Sequence, residues 1–207
     1  MQLITLPCGP LAVNTYLVHD DEGGPCAVVD PGDGEAVLER LQREGLACGL
    51  ILLTHGHFDH IWGVQALSAA TGAPVAIHED DADKLQSSRK SLALMIGRPL
   101  PKAQASRLLH DGDTLRCGAL SFRVLHTPGH SEGGVCYVLE REGVIFCGDT
   151  LFAGSIGRTD LEGGSSAQMA DSLRKLAQLP IPRETQVLPG HGEFSTCLLY
   201  TSPSPRD

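Results

Sequence analysis

Three imidazoles and a carboxylate fall within six consecutive residues, HGHFDH, from His55 to His60. Imidazole nitrogen and carboxylate oxygen are the donors that zinc, iron and manganese accept, so this one loop offers His55, His57, Asp59 and His60 to a cation. Clustering them lowers the entropy cost of gathering ligands from distant parts of the chain. The loop follows Leu50 to Thr54, an apolar run that reads as a buried strand. Three more ligand-type residues stand in matching contexts: His130 in HTPGH, Asp149 in IFCGDT and His191 in PGHG. Each is preceded by an apolar run and a Gly or Pro turn or ends a strand, which would bring them to strand ends and loops along one edge of the fold.

The elements that must position these groups read as short strands punctuated by Gly, Pro and Asp. They are Leu3 to Leu6, Thr15 to His19, Cys26 to Asp30, Leu50 to Thr54, Pro74 to Ile77, Leu120 to His126, Val135 to Leu139, Val144 to Cys147 and Gln186 to Leu188. Helical spacing of apolar residues runs over Glu35 to Arg43, Trp62 to Thr71, Glu79 to Leu85 and Ala167 to Leu179. This mixture suits two sheets packed face to face with helices outside, and periodicity alone does not separate it from a three-layer α/β fold. Gln86 to Lys102 has weak periodicity, two prolines and several basic residues, and reads as a surface connection or as a lid beside a site.

With 207 residues and 42% hydrophobic content, the chain can bury a sizeable core, and one domain over residues 1–196 is expected. The last residues, 197–207 (CLLYTSPSPRD), lack amphipathic period and are expected to be a non-native or disordered tail. A formal charge of −9 without clustered Lys and Arg argues against a nucleic-acid partner. Seven scattered cysteines without a CxxC pair suit free thiols in a reducing compartment. No leader pattern or membrane-length apolar run is visible, so a cytoplasmic location without a membrane partner is expected.

The motifs HGHFDH, HTPGH, Gly148–Asp149 and Gly190–His191 resemble the metallo-β-lactamase fold superfamily over about Met1 to Thr196. The resemblance implies an α+β fold, a four-layer αββα sandwich, with a two-metal site in the cleft between the sheets. One ion would take His55, His57 and His130, the other Asp59, His60 and His191, with Asp149 bridging. The implied cofactors are two divalent ions, zinc first, iron or manganese otherwise. Two cations about 3.5–4 Å apart lower the pKa of a shared water towards about 7 and act as Lewis acids on the electrophile. Asp59 and Asp149 would be the catalytic carboxylates, Asp59 orienting the attacking water.

Within that superfamily, THGHFDH, HTPGHSEGG, GDTLFAGSIGRTDLEGGS and LPGHG are similar to the compact glyoxalase II (hydroxyacylglutathione hydrolase) group. The implied activity is hydrolysis of a small-molecule thioester by metal-bound hydroxide. His60 and His191 together depart from the secreted β-lactamases that use a cysteine ligand, which argues against antibiotic hydrolysis. Arg158 matches a residue that holds a glutathione carboxylate in that group. Glu193 stands where those enzymes carry tyrosine, and the chain ends before their C-terminal helical domain, which leaves the thiol half of the substrate open.

Other readings stay open at this level. Iron-dependent persulfide dioxygenation is the alternative, with lactone or phosphoester hydrolysis next and a non-catalytic metal-binding module last. The oligomeric state is not legible. Arg158 and Asp160 read either as a substrate contact or as a salt bridge bracing their loop. Asp30 in VVDPG reads as a carboxylate orienting a ligand histidine or as a turn residue. His126 lies four residues before His130, but the family pattern gives the ligand role to His130. His19, His78 and His110 are expected at the surface.

Overall fold

The computed structural model describes residues 1–21 and 23–197. The expected tail therefore lies, from residue 198 onward, outside the described residues. Cys197, its first residue, donates its backbone N–H to the Thr185 carbonyl at 3.0 Å.

Six strands form the first sheet: β1 (Gln2–Cys8), β2 (Val13–His19), β3 (Cys26–Val29), β4 (Cys48–Leu52), β5 (Val75–His78) and β6 (Arg107–Leu109). They lie side by side in chain order. The pairs β1–β2 and β2–β3 are antiparallel, whereas β3, β4, β5 and β6 are mutually parallel. Beyond it come β7 (Thr114–Cys117), β8 (Leu120–His126), β9 (Val135–Leu139), β10 (Val144–Gly148), β11 (Leu151–Phe152), β12 (Ser155–Ile156), β13 (Gln186–Pro189) and β14 (Ser195–Thr196). The second sheet has the order β14-β13-β10-β9-β8-β7, with β10 and β13 parallel, and β11–β12 is a separate small hairpin.

The central strands of both sheets are buried on both faces, and period two decides which core each side chain enters. From the first sheet, Tyr16, Val18, Ala27, Val29, Leu50 and Leu52 meet Phe122, Val124, Val135, Tyr137 and Phe146 of the second. The residues between them, Leu17, Val28 and Ile51, point the other way and pack on Val37, Leu41, Val64 and Leu67. Those belong to helices α1 (Gly34–Glu44) and α3 (Val64–Thr71), which α2 (Phe58–Ile61) precedes. On the far side, Cys136, Val138, Ile145 and Cys147 pack against Leu176 and Leu179, in and just beyond α4 (Ser166–Ala177). The result is the four-layer αββα sandwich. Each fully buried large side chain contributes about 1.5–3 kcal/mol relative to exposure, so the inter-sheet core and the core between the first sheet and its helices both stabilise the fold.

Local signals set the helix limits. Asp33 caps α1 by accepting from the Glu35 and Ala36 N–H groups, and Gly45 ends it at φ 67°. Two expected helices differ in the fold. Trp62 to Thr71 is interrupted because the Gly63 N–H bonds to the Pro31 carbonyl at 2.8 Å, and α2 begins earlier, at Phe58. Glu79–Gln86 is a 3-10 helix capped by the His78 side chain. Strands β6, β7, β11, β12 and β14 have no counterpart in the sequence reading, being short and, in β6 and β12, largely exposed.

Two buried tyrosines clamp the sheets together at the end where the motif loops emerge. Tyr16 of β2 donates to the Pro189 carbonyl at 2.6 Å, and Tyr137 of β9 donates to the Leu53 carbonyl at 2.7 Å. The Val135 N–H adds a third tie, to the Thr54 carbonyl at 2.8 Å.

Candidate metal centre

The parallel strands explain why the motifs converge. Because β3, β4 and β10, β13 run towards the same edge, the residues just after them emerge together: Asp30 after β3, His55 and His57 after β4, Asp149 after β10 and His191 after β13. His130 joins from the loop between β8 and β9, and Asp59 and His60 from α2.

The structure brings all seven sequence-predicted donors into one cluster. His55, His57 and His130 present ligand atoms within 4.8 Å of one another, as do Asp59, His60 and His191, and as do His55, His60 and Asp149. The Asp149 carboxylate lies between the first two groups: Oδ1 is 3.4 Å from His60 Nε2, and Oδ2 is 3.5 Å from His130 Nε2 and 3.7 Å from His191 Nε2. His57 Nδ1 faces His130 Nε2 at 2.9 Å. Asp59 Oδ2 is 3.1 Å from His191 Nε2 and 3.6 Å from His60 Nε2.

Most rings are held from behind by an acceptor, the arrangement typical of metal-binding imidazoles. His60 Nδ1 meets Asp30 Oδ2 at 2.9 Å, His130 Nδ1 the Arg158 carbonyl at 2.8 Å, and His191 Nδ1 the Leu11 carbonyl at 3.1 Å. His55 Nδ1 lies 3.2 Å from Thr54 Oγ1, which in turn donates to Asp30 at 2.6 Å. Asp30 is thus the carboxylate that orients a ligand-type histidine, and it also accepts the Thr54 N–H at 2.7 Å.

Facing inward, His55 Nε2, His60 Nε2 and Asp149 Oδ1 are buried without a hydrogen-bond partner among the described residues. Such orphaned polar atoms cost about 1–3 kcal/mol each, and cations at the centre of the cluster would satisfy them. Nitrogen and oxygen donors in two converging groups fit a pair of divalent ions. Electrostatics agree. Burial, then neighbouring rings, pushes His55 down and His57 down to about 3, which leaves both in the neutral, ligand form. Burial works against ionised Asp59 and Asp149, but His60 and His191, joined at Asp149 by His130, together outweigh it and hold both carboxyls below their ordinary value. Burial likewise opposes charge on His60, but Asp59, Asp149 and Asp30 overcome it and raise that ring.

Glycines bring the backbone close. A Cβ on Gly190 would stand 2.3 Å from Asp149 Oδ1 and 2.6 Å from His60 Cε1, and one on Gly157 1.7 Å from the Asp149 carbonyl oxygen.

Arg158 is placed differently. Its carbonyl supports His130, while its exposed guanidinium makes a two-pronged pair with Asp160, both contacts at 2.8 Å. The Gln86 to Lys102 segment does lie beside the centre, since the Ser91 carbonyl accepts the Phe58 N–H at 2.8 Å. It exposes Leu94, Met95 and Ile96.

Two parts of the region escaped the sequence reading. Asp81, fully buried, accepts from Gly56 N at 2.7 Å and Gly133 N at 2.8 Å, and from Lys84 Nζ at 2.5 Å, so it pins the His55–His57 loop to the loop after His130. Nothing in EDDADKL distinguishes Asp81 from its acidic neighbours; only the fold selects it. His78 is a correction: it is 4% exposed, not a surface residue, and its ring stacks on His126. His126 belongs to that pair and not to the seven-donor cluster.

A family model described as "Metallo-beta-lactamase superfamily" matches residues 8–191. The chain is 34% identical to Probable metallo-hydrolase YqgX of Bacillus subtilis, covering 97% of this chain and 94% of that protein. It is 38% identical to a hydroxyacylglutathione hydrolase of Cereibacter sphaeroides, over 92% of this chain and 66% of that enzyme. Among solved structures, BLEG-1 B3 metallo-beta-lactamase superposes with a TM-score of 0.92 at 38% identity, covering 99% and 98% of the two chains. TTHA1623 in a di-iron-bound form follows at 0.85 and 38%, covering 98% of each chain. ETHE1 from Myxococcus xanthus gives 0.80 and 30%, covering 100% of this chain and 84% of that one.

Proposed function

Because the chain belongs to the metallo-beta-lactamase superfamily, we propose that it is a two-metal hydrolase cleaving a small thioester of the hydroxyacylglutathione type. The observation that carries this is the convergence of seven donors into two groups with Asp149 reaching both. His55, His57 and His130 would hold one ion and Asp59, His60 and His191 the other. Bound there, two divalent ions supply a hydroxide nucleophile at neutral pH and Lewis acidity towards a carbonyl.

The protein's own part is to fix and shield. Asp30 and the carbonyls of Leu11 and Arg158 set the orientation of His60, His191 and His130. Asp59, held by His191, is placed to accept a hydrogen bond from an attacking water and so aim it. Arg158, whose carbonyl supports His130, would exchange Asp160 for a substrate carboxylate through its exposed guanidinium. Zinc suits the nitrogen-rich donor set, and the di-iron form of TTHA1623 supports iron as the other choice, with manganese third. Seven cysteines outside any disulfide support a reducing, cytoplasmic setting. Among the described residues no helix is long and apolar enough to cross a membrane.

The thioester substrate rests on the Cereibacter hydrolase. The likeness to BLEG-1 favours a second reading, β-lactam hydrolysis, which the sequence reading sets aside. Turnover of S-lactoylglutathione by protein loaded with zinc, iron or manganese is expected. Failure to hydrolyse any of a thioester panel, with cleavage of a chromogenic cephalosporin instead, would move the assignment to the lactam. Oxygen uptake on glutathione persulfide by iron-loaded protein would move it to persulfide oxidation.

A further inference from the structure

A second group of metal-type donors stands apart from the seven and shares no residue with them. His78 ends β5 of the first sheet and His126 ends β8 of the second, and their rings stack at 4.0 Å with an interplanar angle of 12°. Asp80 adds a carboxylate with Oδ2 3.6 Å from His78 Nδ1. One ligand atom from each of the three residues lies within 4.8 Å of the others. We propose that His78, Asp80 and His126 form a further binding site for a divalent transition-metal ion, which would cross-link the two sheets at this end.

The tautomers favour it. His126 Nε2 lies 2.9 Å from the Glu132 carbonyl, to which it donates, and this leaves the lone pair on Nδ1. A ring whose other nitrogen is tied to a carbonyl is the common form of a metal-binding histidine. His78 Nδ1 accepts the Asp80 N–H at 3.3 Å, so its lone pair lies on the side of Asp80, and a metal on that nitrogen would replace this long capping contact. Burial, then the His126 ring, holds His78 below its ordinary pKa and so in the neutral form that a metal requires. Around the three lie His110, whose ring centre is 6.4 Å from that of His78, and Glu79, 3.3 Å from His110 Nε2. Both are exposed and can supply a fourth donor. In-plane lone pairs of two nearly parallel rings do not meet at one point, so capture requires a ring to turn; His126 is the less buried of the two, and in turning it would exchange its Glu132 contact for the metal. Two imidazoles with a carboxylate suit zinc, nickel or copper over magnesium or calcium.

The test is a zinc count and titration on the full chain. Wild-type protein, His126→Gln and Asp80→Asn are saturated with zinc and dialysed, bound metal is measured by elemental analysis, and further zinc is titrated calorimetrically. The expected result is one zinc equivalent in the wild type that His126→Gln weakens at least tenfold and Asp80→Asn several-fold, while the remaining equivalents are unchanged. Equal stoichiometry and affinity in the wild type and His126→Gln would overturn the site. Asp80 is exposed and its substitution leaves the core untouched, so an unaltered titration in Asp80→Asn overturns it as well, even if the histidine variant misfolds.

Discussion

Asp30 holds the His60 ring by a 2.9 Å contact between Oδ2 and Nδ1, from a backbone turned to φ 50° at the end of the β3 segment. The left-handed turn redirects the carboxylate from the sheet to the centre, where it also accepts both the N–H and the hydroxyl of Thr54. Asp30→Asn tolerates the turn but presents an amide N–H to one of these donors. Metal affinity is expected to fall about 10–100-fold, the usual effect of losing an outer partner of a ligand histidine. Chelator competition measures it.

Metal removal should cost stability, because the buried nitrogens and carboxylate oxygen at the centre then face one another without partners. Zinc at a hundred times its dissociation constant is expected to stabilise the fold by about 2.7 kcal/mol per site. Calorimetric unfolding with chelator and with zinc should differ accordingly; coincident curves would contradict the centre.

Gly190→Ala puts a methyl group against Asp149 Oδ1 and His60 Cε1. Both donors must shift, so bound metal is expected to drop by at least one equivalent. Gly190 does not have a positive φ, so unfolding of the metal-free protein should change far less than metal content.

Asp81 and Lys84 form a buried pair, and Asp81→Leu leaves the Lys84 ammonium and the Gly56 and Gly133 N–H groups without it. A loss of about 3–5 kcal/mol in urea unfolding is expected, with Asp81→Leu/Lys84→Met losing less than the single variant. Burial opposes ionisation of Asp81, but Lys84 and the Gly133 and Gly56 N–H groups together outweigh it and keep the carboxyl below its ordinary value. A depressed carboxyl stabilises the fold above its unfolded pKa of about 3.9 and loses that contribution as pH falls through the folded value. The wild-type advantage over Asp81→Asn should therefore shrink as the pH is lowered below about 4.

Arg158 distinguishes a brace from a substrate contact. Exposed ion pairs contribute about 0–1 kcal/mol, so Arg158→Ala should leave the unfolding midpoint nearly unchanged. If the guanidinium binds a substrate carboxylate, KM rises about tenfold at constant kcat, and Asp160→Asn, which frees it, lowers KM. An unchanged KM in both variants assigns Arg158 to its loop.

HGHFDH, HTPGH, the Asp149 turn and the His191 turn were legible because donor chemistry and strand-loop punctuation are both written locally. The αββα layering followed from them by resemblance; periodicity alone left it open. What escaped was whatever depends on contact between distant segments. Asp81 looks like any acidic residue until Gly56 and Gly133 are brought to its carboxylate. His78 looks like a surface histidine until β5 and β8 end side by side and stack it on His126. The break at Gly63 is equally non-local, since its N–H is taken by Pro31.

By itself, then, the sequence determined the donor types, their loops and the metal chemistry they can support, because spacing along the backbone fixes which side chains share a turn. Only the tertiary structure decided which donors face one another, which carboxylates stand behind them and that Arg158 pairs with Asp160. The physical reason is that parallel strands from two sheets end at a common edge. Their order, and the Tyr16 and Tyr137 hydrogen bonds that lock one sheet to the other there, join residues more than eighty positions apart.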